Sequence, residues 1–308
     1  MTFSQIAIIG LGLQGGSIGL AIQEYLPEAR VTGYDLDPAT RARAAERGLC
    51  HAVCESAEEA VAEAELVIFC VPPGAIGKAA KPLREAIPPE CLVSDVGSSK
   101  KRIAADLAQA LPDHIVIPAH PVAGTENSGP DAGFASLFQG RWCIVTPPEH
   151  TDLLKLSTLV EFWETLGANV ELMSPEHHDL VLAVTSHLPH LIAYTIVGTA
   201  SDLEDVTQSE VIKYSAGGFR DFTRIAASDP TMWRDVFLSN KEAVLTMLQR
   251  FTEDLTALQR AIRVGDGEAL FDQFTRTRAI RRSIIEEGQD DSRPDFGRSD
   301  HVKKTKKS

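Results

Sequence analysis

The sequence is poor in positive charge. Its 308 residues include 30 lysines and arginines against 43 aspartates and glutamates, which gives a net charge of −13. A surface with this excess of negative charge repels a phosphate backbone, so we expect no nucleic-acid partner. The N-terminus also lacks the basic stretch and the cleavage site of an export signal, and we therefore expect a cytoplasmic protein.

Cysteine is scarce as well. The chain has five cysteines, an odd number without the regular spacing of a disulfide framework. Cys50 and Cys54 flank His51, but no second pair of ligands with zinc-like spacing follows. We therefore expect reduced thiols, as is usual in the cytoplasm, and no metal.

Long uninterrupted apolar runs are almost absent. Residues 180–200 have the length of a membrane span. However, His187, Pro189 and His190 interrupt this run, and Asp179 precedes it. We predict a buried interface helix here and no membrane segment.

Apolar strands alternate with helical stretches in the first half of the chain. We predict strands at residues 6–9, 31–35, 66–71, 91–96, 115–117, 143–145 and 169–173, and helices at residues 16–25, 38–48 and 153–166. Continuous apolar strands between helices are typical of a mostly parallel sheet that is covered on both faces. The fold class that this pattern predicts is α/β.

The pattern changes after Ser174, where only helical periodicity remains, at residues 179–199, 233–263 and 267–285. Ser174 can cap a helix whose first position is Pro175. We predict an α/β domain over residues 1–173, an all-helical domain over residues 174–287 and a disordered polar tail over residues 288–308.

The glycine-rich segment Gly10-Leu11-Gly12-Leu13-Gln14-Gly15 follows the first strand and opens a helix. In this βαβ context it predicts a dinucleotide site. Gly10 permits the tight turn, Gly12 lets the backbone approach the pyrophosphate, and Gly15 allows close packing of helix on strand. The N–H groups at the helix N-terminus favour an anion.

Asp35 lies twenty residues after Gly15, at the end of the second strand. A carboxylate there accepts hydrogen bonds from the adenosine ribose and repels a 2′-phosphate, so we predict NAD rather than NADP. Arg41 and Arg43 on the next helix are placed to weaken that preference.

Two further polar segments follow predicted strands. His120 comes after residues 115–117, and Ser98 lies in the segment Asp95-Val-Gly-Ser-Ser-Lys100. Ligands of open α/β sheets bind at the carboxyl ends of strands, which brings a histidine and a serine near the cofactor. The sequence does not determine the order of these strands in the sheet.

Five segments in order, at residues 10–15, 97–100, 120–129, 186–190 and 217–235, resemble the prephenate/arogenate dehydrogenase family. The resemblance extends from about residue 6 to residue 285. It implies a Rossmann-like, NAD-binding domain followed by a helical domain that forms a homodimer. It also implies NAD-dependent oxidative decarboxylation of prephenate to 4-hydroxyphenylpyruvate in tyrosine biosynthesis, in the short form without a fused mutase or regulatory region.

The resemblance implies a role for each matching residue. His120 hydrogen-bonds the C4 hydroxyl of the substrate and takes its proton, a task that suits a neutral imidazole. Ser98 positions that hydroxyl and the histidine, with Ser99 as the neighbouring alternative. Three residues bind substrate: Arg224 at a carboxylate, His190, and Glu126 near the entrance. The residues assigned to the cofactor are Gly10, Leu11, Gly12, Leu13, Gln14, Gly15, Asp35, Val71, Pro72 and Gly97.

Four of these residues also have a purely structural interpretation. His120 can cap a turn, His190 can be a core histidine, Arg224 can pair with Asp221 or Asp229, and Glu126 can be a solvated carboxylate.

Other functions also remain open. Arogenate, or both acids, can be the substrate, and an acidic residue such as Glu126 would favour the ammonium group of arogenate. A β-hydroxyacid dehydrogenase would need a catalytic lysine, for which Lys213 and Lys241 are available outside any such motif. A redox-sensing regulator would need a DNA-binding surface, which the negative charge opposes.

Overall fold

The structure is a computed structural model that describes residues 3–125, 127–202 and 217–286. It contains two compact units, of which the first ends at Val244 and the second begins at Leu245. The helices from residue 174 to residue 244 thus pack in the same unit as the sheets, although the sequence assigns them to a second domain. The predicted tail at residues 288–308 lies outside the described residues.

The larger sheet has six parallel strands. They are β1 (Gln5–Ile9), β2 (Arg30–Tyr34), β3 (Ala52–Val53), β4 (Leu66–Phe69), β5 (Leu92–Asp95) and β6 (Ile115–Val116), in the order β3-β2-β1-β4-β5-β6. The order reverses between β1 and β4, which opens a crevice at the carboxyl ends of these strands. The α/β, Rossmann-like prediction is confirmed.

The described residues of this part of the chain form six α-helices: α1 (Leu13–Tyr25), α2 (Pro38–Glu46), α3 (Ala57–Val61), α4 (Ile76–Ala80), α5 (Lys101–Ala110) and α6 (Leu153–Thr165). Both faces of the sheet are buried. Ile6 and Ile8 of β1 join an apolar cluster that includes α1 and α6, whereas Ala7 and Ile9 join a second cluster that includes α4 and α5. The alternation of side chains along a strand therefore places helices on both sides of the sheet.

A second sheet of three strands, β7 (Ala119–Pro121), β8 (Trp142–Val145) and β9 (Asn169–Leu172), follows the first. β7 runs antiparallel to β8, and β8 runs parallel to β9. The sequence does not predict this second sheet. The chain leaves the larger sheet at Pro118, which has no N–H to continue β6 and whose carbonyl instead accepts the Thr146 N–H at 2.9 Å. His120 therefore lies within a strand, opposite Ile144, and not in the loop beyond one.

The chain beyond β9 is helical in the described residues. It forms α7 (Pro175–Leu182), a π-helical turn (Ala183–His187), α8 (Leu188–Asp202), α9 (Gly217–Thr223), α10 (Pro230–Ser239), α11 (Lys241–Val264) and α12 (Gly267–Glu286). Ser174 caps α7 by accepting the His177 N–H at 3.2 Å, and Pro175 takes the first position, as predicted. The helix predicted at residues 233–263 is interrupted at Asn240.

The helical stretch Pro175–Asp202 is long and apolar enough to cross a membrane by length and composition, which alone do not place it there. Only 22% of its most apolar window is buried within this chain. Val184, Ile196 and Val197 are exposed. Within one chain this apolar surface is therefore uncovered, and its burial at an interface stays a prediction.

Candidate active site

The glycine-rich turn shapes the crevice beside β1. Gly10 has a φ of 102°, and a Cβ there would lie 2.6 Å from the Cys70 carbonyl oxygen. A Cβ on Gly15 would lie 1.9 Å from the Gly10 carbonyl oxygen, so α1 starts tightly against the turn. Beside Gly12 there is open space, and no side chain caps the first turn of α1. This cradle of backbone N–H groups fits the pyrophosphate of a dinucleotide.

Asp35 is fixed at the end of β2 by two backbone groups. Its carboxylate accepts the Leu11 N–H at 2.8 Å and the Asp37 N–H at 3.0 Å. Arg41 donates to the Asp35 carbonyl at 2.9 Å, and Arg43 pairs with Asp131 at 2.8 Å. Both arginines therefore already have protein partners, which favours the carboxylate of Asp35 as the group that meets a ribose.

The loops after β4 and β5 line the same edge of the sheet. Val71 is close enough to Gly10 that its Cγ1 would lie 3.0 Å from a Cβ at that position, and Pro72 follows it. A Cβ on Gly97 would lie 2.3 Å from the Cδ1 of Ile103, so a larger residue here would require that side chain to move. The residues assigned to the cofactor thus come together at the carboxyl ends of β1, β2, β4 and β5.

The side chain of Gln14 connects the glycine-rich turn to the segment after β7. Its amide donates to the carbonyl oxygen of Ala123, three residues beyond His120. The turn and the strand that carries the candidate base are therefore held together, although they are far apart in the sequence.

His120 is 7% exposed and begins a chain of hydrogen bonds. Its Nδ1 lies 2.8 Å from Nε2 of His178, and Nδ1 of His178 lies 2.8 Å from Oδ1 of Asp179. Burial and the nearby His178 and Lys100 hold the pKa of His120 well below its ordinary value. The imidazole is therefore neutral at physiological pH and is able to accept a proton.

Lys100 and Asp95 form an ion pair beneath His120. The ammonium nitrogen lies 2.5 Å from Oδ2 of Asp95 and 2.5 Å from the carbonyl oxygen of Ala119, the residue before His120. Neither side chain reaches solvent. Burial raises the pKa of Asp95 and lowers the pKa of Lys100, while their mutual attraction favours the charged pair.

Ser98 lies between β5 and α5 and is partly exposed. The neighbouring Ser99 is fully buried, and within the described part of the chain its Oγ has no hydrogen-bond partner. Of the two serines, Ser98 is therefore the one accessible to a ligand.

His190 and Arg224 come together in the helical part. The His190 ring stacks on Trp233 with centroids 3.6 Å apart, and its Nδ1 lies 2.8 Å from the Ser186 carbonyl oxygen. Burial lowers the pKa of His190, and the positive charge of Arg224 lowers it further. His190 is half-buried and Arg224 exposed, so both are accessible to an anionic ligand. Glu126 lies outside the described residues.

Two family models match consecutive parts of the chain. Residues 18–172 match the nucleotide-binding domain of prephenate dehydrogenase, and residues 174–276 match its dimerization domain. The chain belongs to the prephenate dehydrogenase family. The interpretation as a β-hydroxyacid dehydrogenase therefore loses its basis, and of its two candidate lysines Lys213 lies outside the described residues.

Two relatives with similar sequences have different names. A cyclohexadienyl dehydrogenase from Zymomonas mobilis is 44% identical over 92% of this chain and 96% of that protein. A prephenate dehydrogenase from Bacillus subtilis is 34% identical over 91% of this chain and 76% of that protein.

Solved structures of the family are similar along nearly the whole chain. Prephenate dehydrogenase from Aquifex aeolicus, in complex with hydroxyphenyl propionate and NAD+, superposes with a TM-score of 0.86 at 33% identity and covers 92% of this chain and 99% of that one. Arogenate dehydrogenase from Synechocystis gives a TM-score of 0.77 at 26% identity, with 91% and 99% coverage.

The sequence analysis assigns no role in the site to four buried polar residues: His178, Asp179, His187 and Asn240. The Asn240 amide donates to the Asp179 carbonyl at 2.7 Å and lies 3.1 Å from Nδ1 of His187. The adjacent His178 and Asp179 come directly before the apolar run that begins at Leu180, which is the one local signal. Their approach to His120 depends on contacts between distant segments.

Within the described ranges no three His, Cys, Asp or Glu side chains are grouped to hold an ion. All five cysteines lie in those ranges and are free thiols.

Proposed function

We propose that this protein catalyses the NAD-dependent oxidative decarboxylation of prephenate to 4-hydroxyphenylpyruvate in tyrosine biosynthesis, in the cytoplasm. Membership of the prephenate dehydrogenase family supports the reaction. The observation in this chain that best supports this reaction is the neutral, buried His120, which is linked through Ala123 and Gln14 to the dinucleotide turn.

His120 acts as the base in this proposal. Bound NAD supplies the acceptor for the hydride that leaves C4 of the substrate. As that carbon becomes a carbonyl, His120 takes the hydroxyl proton. The bond from C1 to the carboxylate then breaks, its electron pair moves through the ring to the oxygen on C4, and the oxygen recovers a proton. The products are CO2 and a phenol, whose aromaticity makes the step irreversible.

Arg224 and His190 would bind the anionic substrate. The chain as a whole is negatively charged, so a dianionic acid needs a local cation. Arg224 provides a planar guanidinium that binds a carboxylate bidentately. Ser98 would hold the C4 hydroxyl against His120, and Glu126 would lie near the entrance.

The cofactor would be NAD. The open space at Gly12 and the uncapped N-terminus of α1 accept its pyrophosphate, and the Asp35 carboxylate, held by Leu11 and Asp37, accepts its ribose hydroxyls.

A homodimer through the helical part would cover the exposed apolar residues. α11 and α12 expose Leu255, Ile262, Phe271 and Phe274, among others. Apolar surfaces of this kind usually form interfaces. The matched dimerization-domain model at residues 174–276 supports this assembly.

Dual specificity is the second candidate, because the 44% identical relative from Zymomonas mobilis is named a cyclohexadienyl dehydrogenase. The test is a steady-state comparison of prephenate and arogenate, each with NAD and with NADP, that follows NADH and CO2 formation. We expect the highest kcat/KM for prephenate with NAD. A higher value with NADP would refute the role of Asp35. If neither acid gives NADH and CO2, the proposed reaction is wrong.

A further inference from the structure

The hydrogen bonds from His120 to Asp179 have a defined direction. Both oxygens of the Asp179 carboxylate face backbone donors at the start of α5: Oδ1 accepts the Lys100 N–H at 2.7 Å, and Oδ2 accepts the Lys101 N–H at 3.1 Å. Oδ1 also lies 2.8 Å from Nδ1 of His178. A carboxylate accepts and does not donate, so the proton of this last bond belongs to His178.

The position of the proton on His178 determines the position of the proton on His120. A neutral His178 with its proton on Nδ1 has a lone pair on Nε2. Since that nitrogen lies 2.8 Å from Nδ1 of His120, His120 must be the donor in the bond between them. Its own proton is therefore on Nδ1, and the lone pair is on Nε2.

We propose that His178 and Asp179 are positioning residues that hold His120 in the tautomer whose Nε2 is free to take the substrate's hydroxyl proton. This inference rests on the proposed role of His120 as the base. It assigns to two buried polar residues in α7 a function that they exert through His120.

The surroundings of His120 favour such an arrangement. His178, Asp179 and Lys100 are almost inaccessible to solvent, so water cannot replace a missing partner. Lys100 repels a positive charge on His120, and so do His178 and His187 when protonated, whereas the Asp179 carboxylate favours a positive charge on the His178 that lies between them. When His120 takes a proton, the negative charge two hydrogen bonds away stabilises the resulting imidazolium.

The first test is the tautomer itself, measured in the free protein. Long-range 1H–15N correlation spectra of protein labelled with 15N-histidine distinguish a proton on Nδ1 from one on Nε2. The chain has nine histidines, and the signal of His120 is assigned by its loss in His120→Asn. We expect wild-type His120 to carry its proton on Nδ1. A proton on Nε2 would overturn the proposal.

The second test compares variants at His178. In His178→Leu the acceptor for Nδ1 of His120 is lost, and we expect kcat to fall at least ~10-fold with the KM for prephenate within about 3-fold. His178→Gln offers an amide oxygen to the same proton and should recover part of that loss. His177→Gln is the matched control, because the adjacent His177 is exposed, and it should keep wild-type kcat.

These outcomes separate the two proposals. If wild-type protein has the Nδ1 tautomer but no activity with prephenate or arogenate, the arrangement stands and the proposed function fails. If the protein is active and His178→Leu keeps kcat within about twofold, the positioning role fails. Should His178→Leu not fold, the spectrum of the wild-type protein still decides the question.

Discussion

The ammonium group of Lys100 lies 2.5 Å from the Asp95 carboxylate in a fully buried ion pair that contacts the strand that carries His120. The pair connects the loop after β5 to β7, because Lys100 also donates to the Ala119 carbonyl. It thereby holds the larger sheet and the candidate base in a fixed relation.

Removal of one partner of this ion pair should destabilise the folded protein. We expect Lys100→Met to lower the free energy of unfolding by about 3–5 kcal/mol, because it leaves Asp95 buried without its counter-charge. Urea denaturation measures the change. The control is Lys101→Met, whose exposed side chain pairs with the exposed Glu242 at 3.4 Å and should contribute at most about 1 kcal/mol. Equal losses in both variants would contradict the argument.

The fold around the cofactor site was largely predictable, because its signals are local. The segment from β1 to β2 is marked by the glycine-rich turn and by Asp35, and the Ser174 cap before Pro175 is a short motif. Such elements depend on residues close together in the sequence. The strand order, in contrast, emerges only from pairing between distant segments.

Two features could not be predicted from the sequence, because each depends on contacts between distant segments. β7 has three residues and follows Pro118, so no apolar run marks it, and it pairs with β8 some twenty residues later. The contact between His178 and His120 spans 58 positions. The hydrophobic periodicity of the sequence predicts which residues face inward, but it does not predict which buried polar residues contact each other.

The two glycines of the turn should respond differently to alanine. Gly15→Ala places a Cβ 1.9 Å from the Gly10 carbonyl oxygen and should lower the free energy of unfolding by about 1–3 kcal/mol. Gly12→Ala has open space and should cost less than about 1 kcal/mol, but it should raise the Kd for NAD at least ~10-fold because the cofactor must occupy that space.

Urea denaturation and titration of NAD into each variant measure the two effects. If Gly12→Ala binds NAD as tightly as the wild-type protein, the pyrophosphate does not lie against this turn.

Arg224 should act on substrate binding. We expect Arg224→Ala to raise the KM for prephenate at least ~10-fold with a smaller effect on kcat, because a carboxylate loses its bidentate partner. Arg220→Ala, which removes another exposed arginine of the same segment, is the control and should leave KM unchanged. Steady-state kinetics at saturating NAD measure KM and kcat of both variants. An unchanged KM in Arg224→Ala would show that Arg224 has a structural role and does not bind the substrate.

The pH profile should reflect the environment of His120. Catalysis needs the neutral imidazole, and burial together with His178, Lys100 and His187 lowers its pKa. Protonation, and with it the loss of kcat/KM, should therefore occur well below the ordinary histidine value of about 6.5. Initial rates between about pH 5 and pH 8 would show a plateau through pH 6.5. A half-maximal point at or above about pH 6.5 would contradict this expectation.

The most direct test of the account is the kinetics of His120→Asn with prephenate and NAD. If His120 takes the hydroxyl proton, kcat falls at least ~10²-fold, the scale of a lost general base, while KM changes only modestly. If the variant turns over at the wild-type rate, His120 is not the base in this reaction.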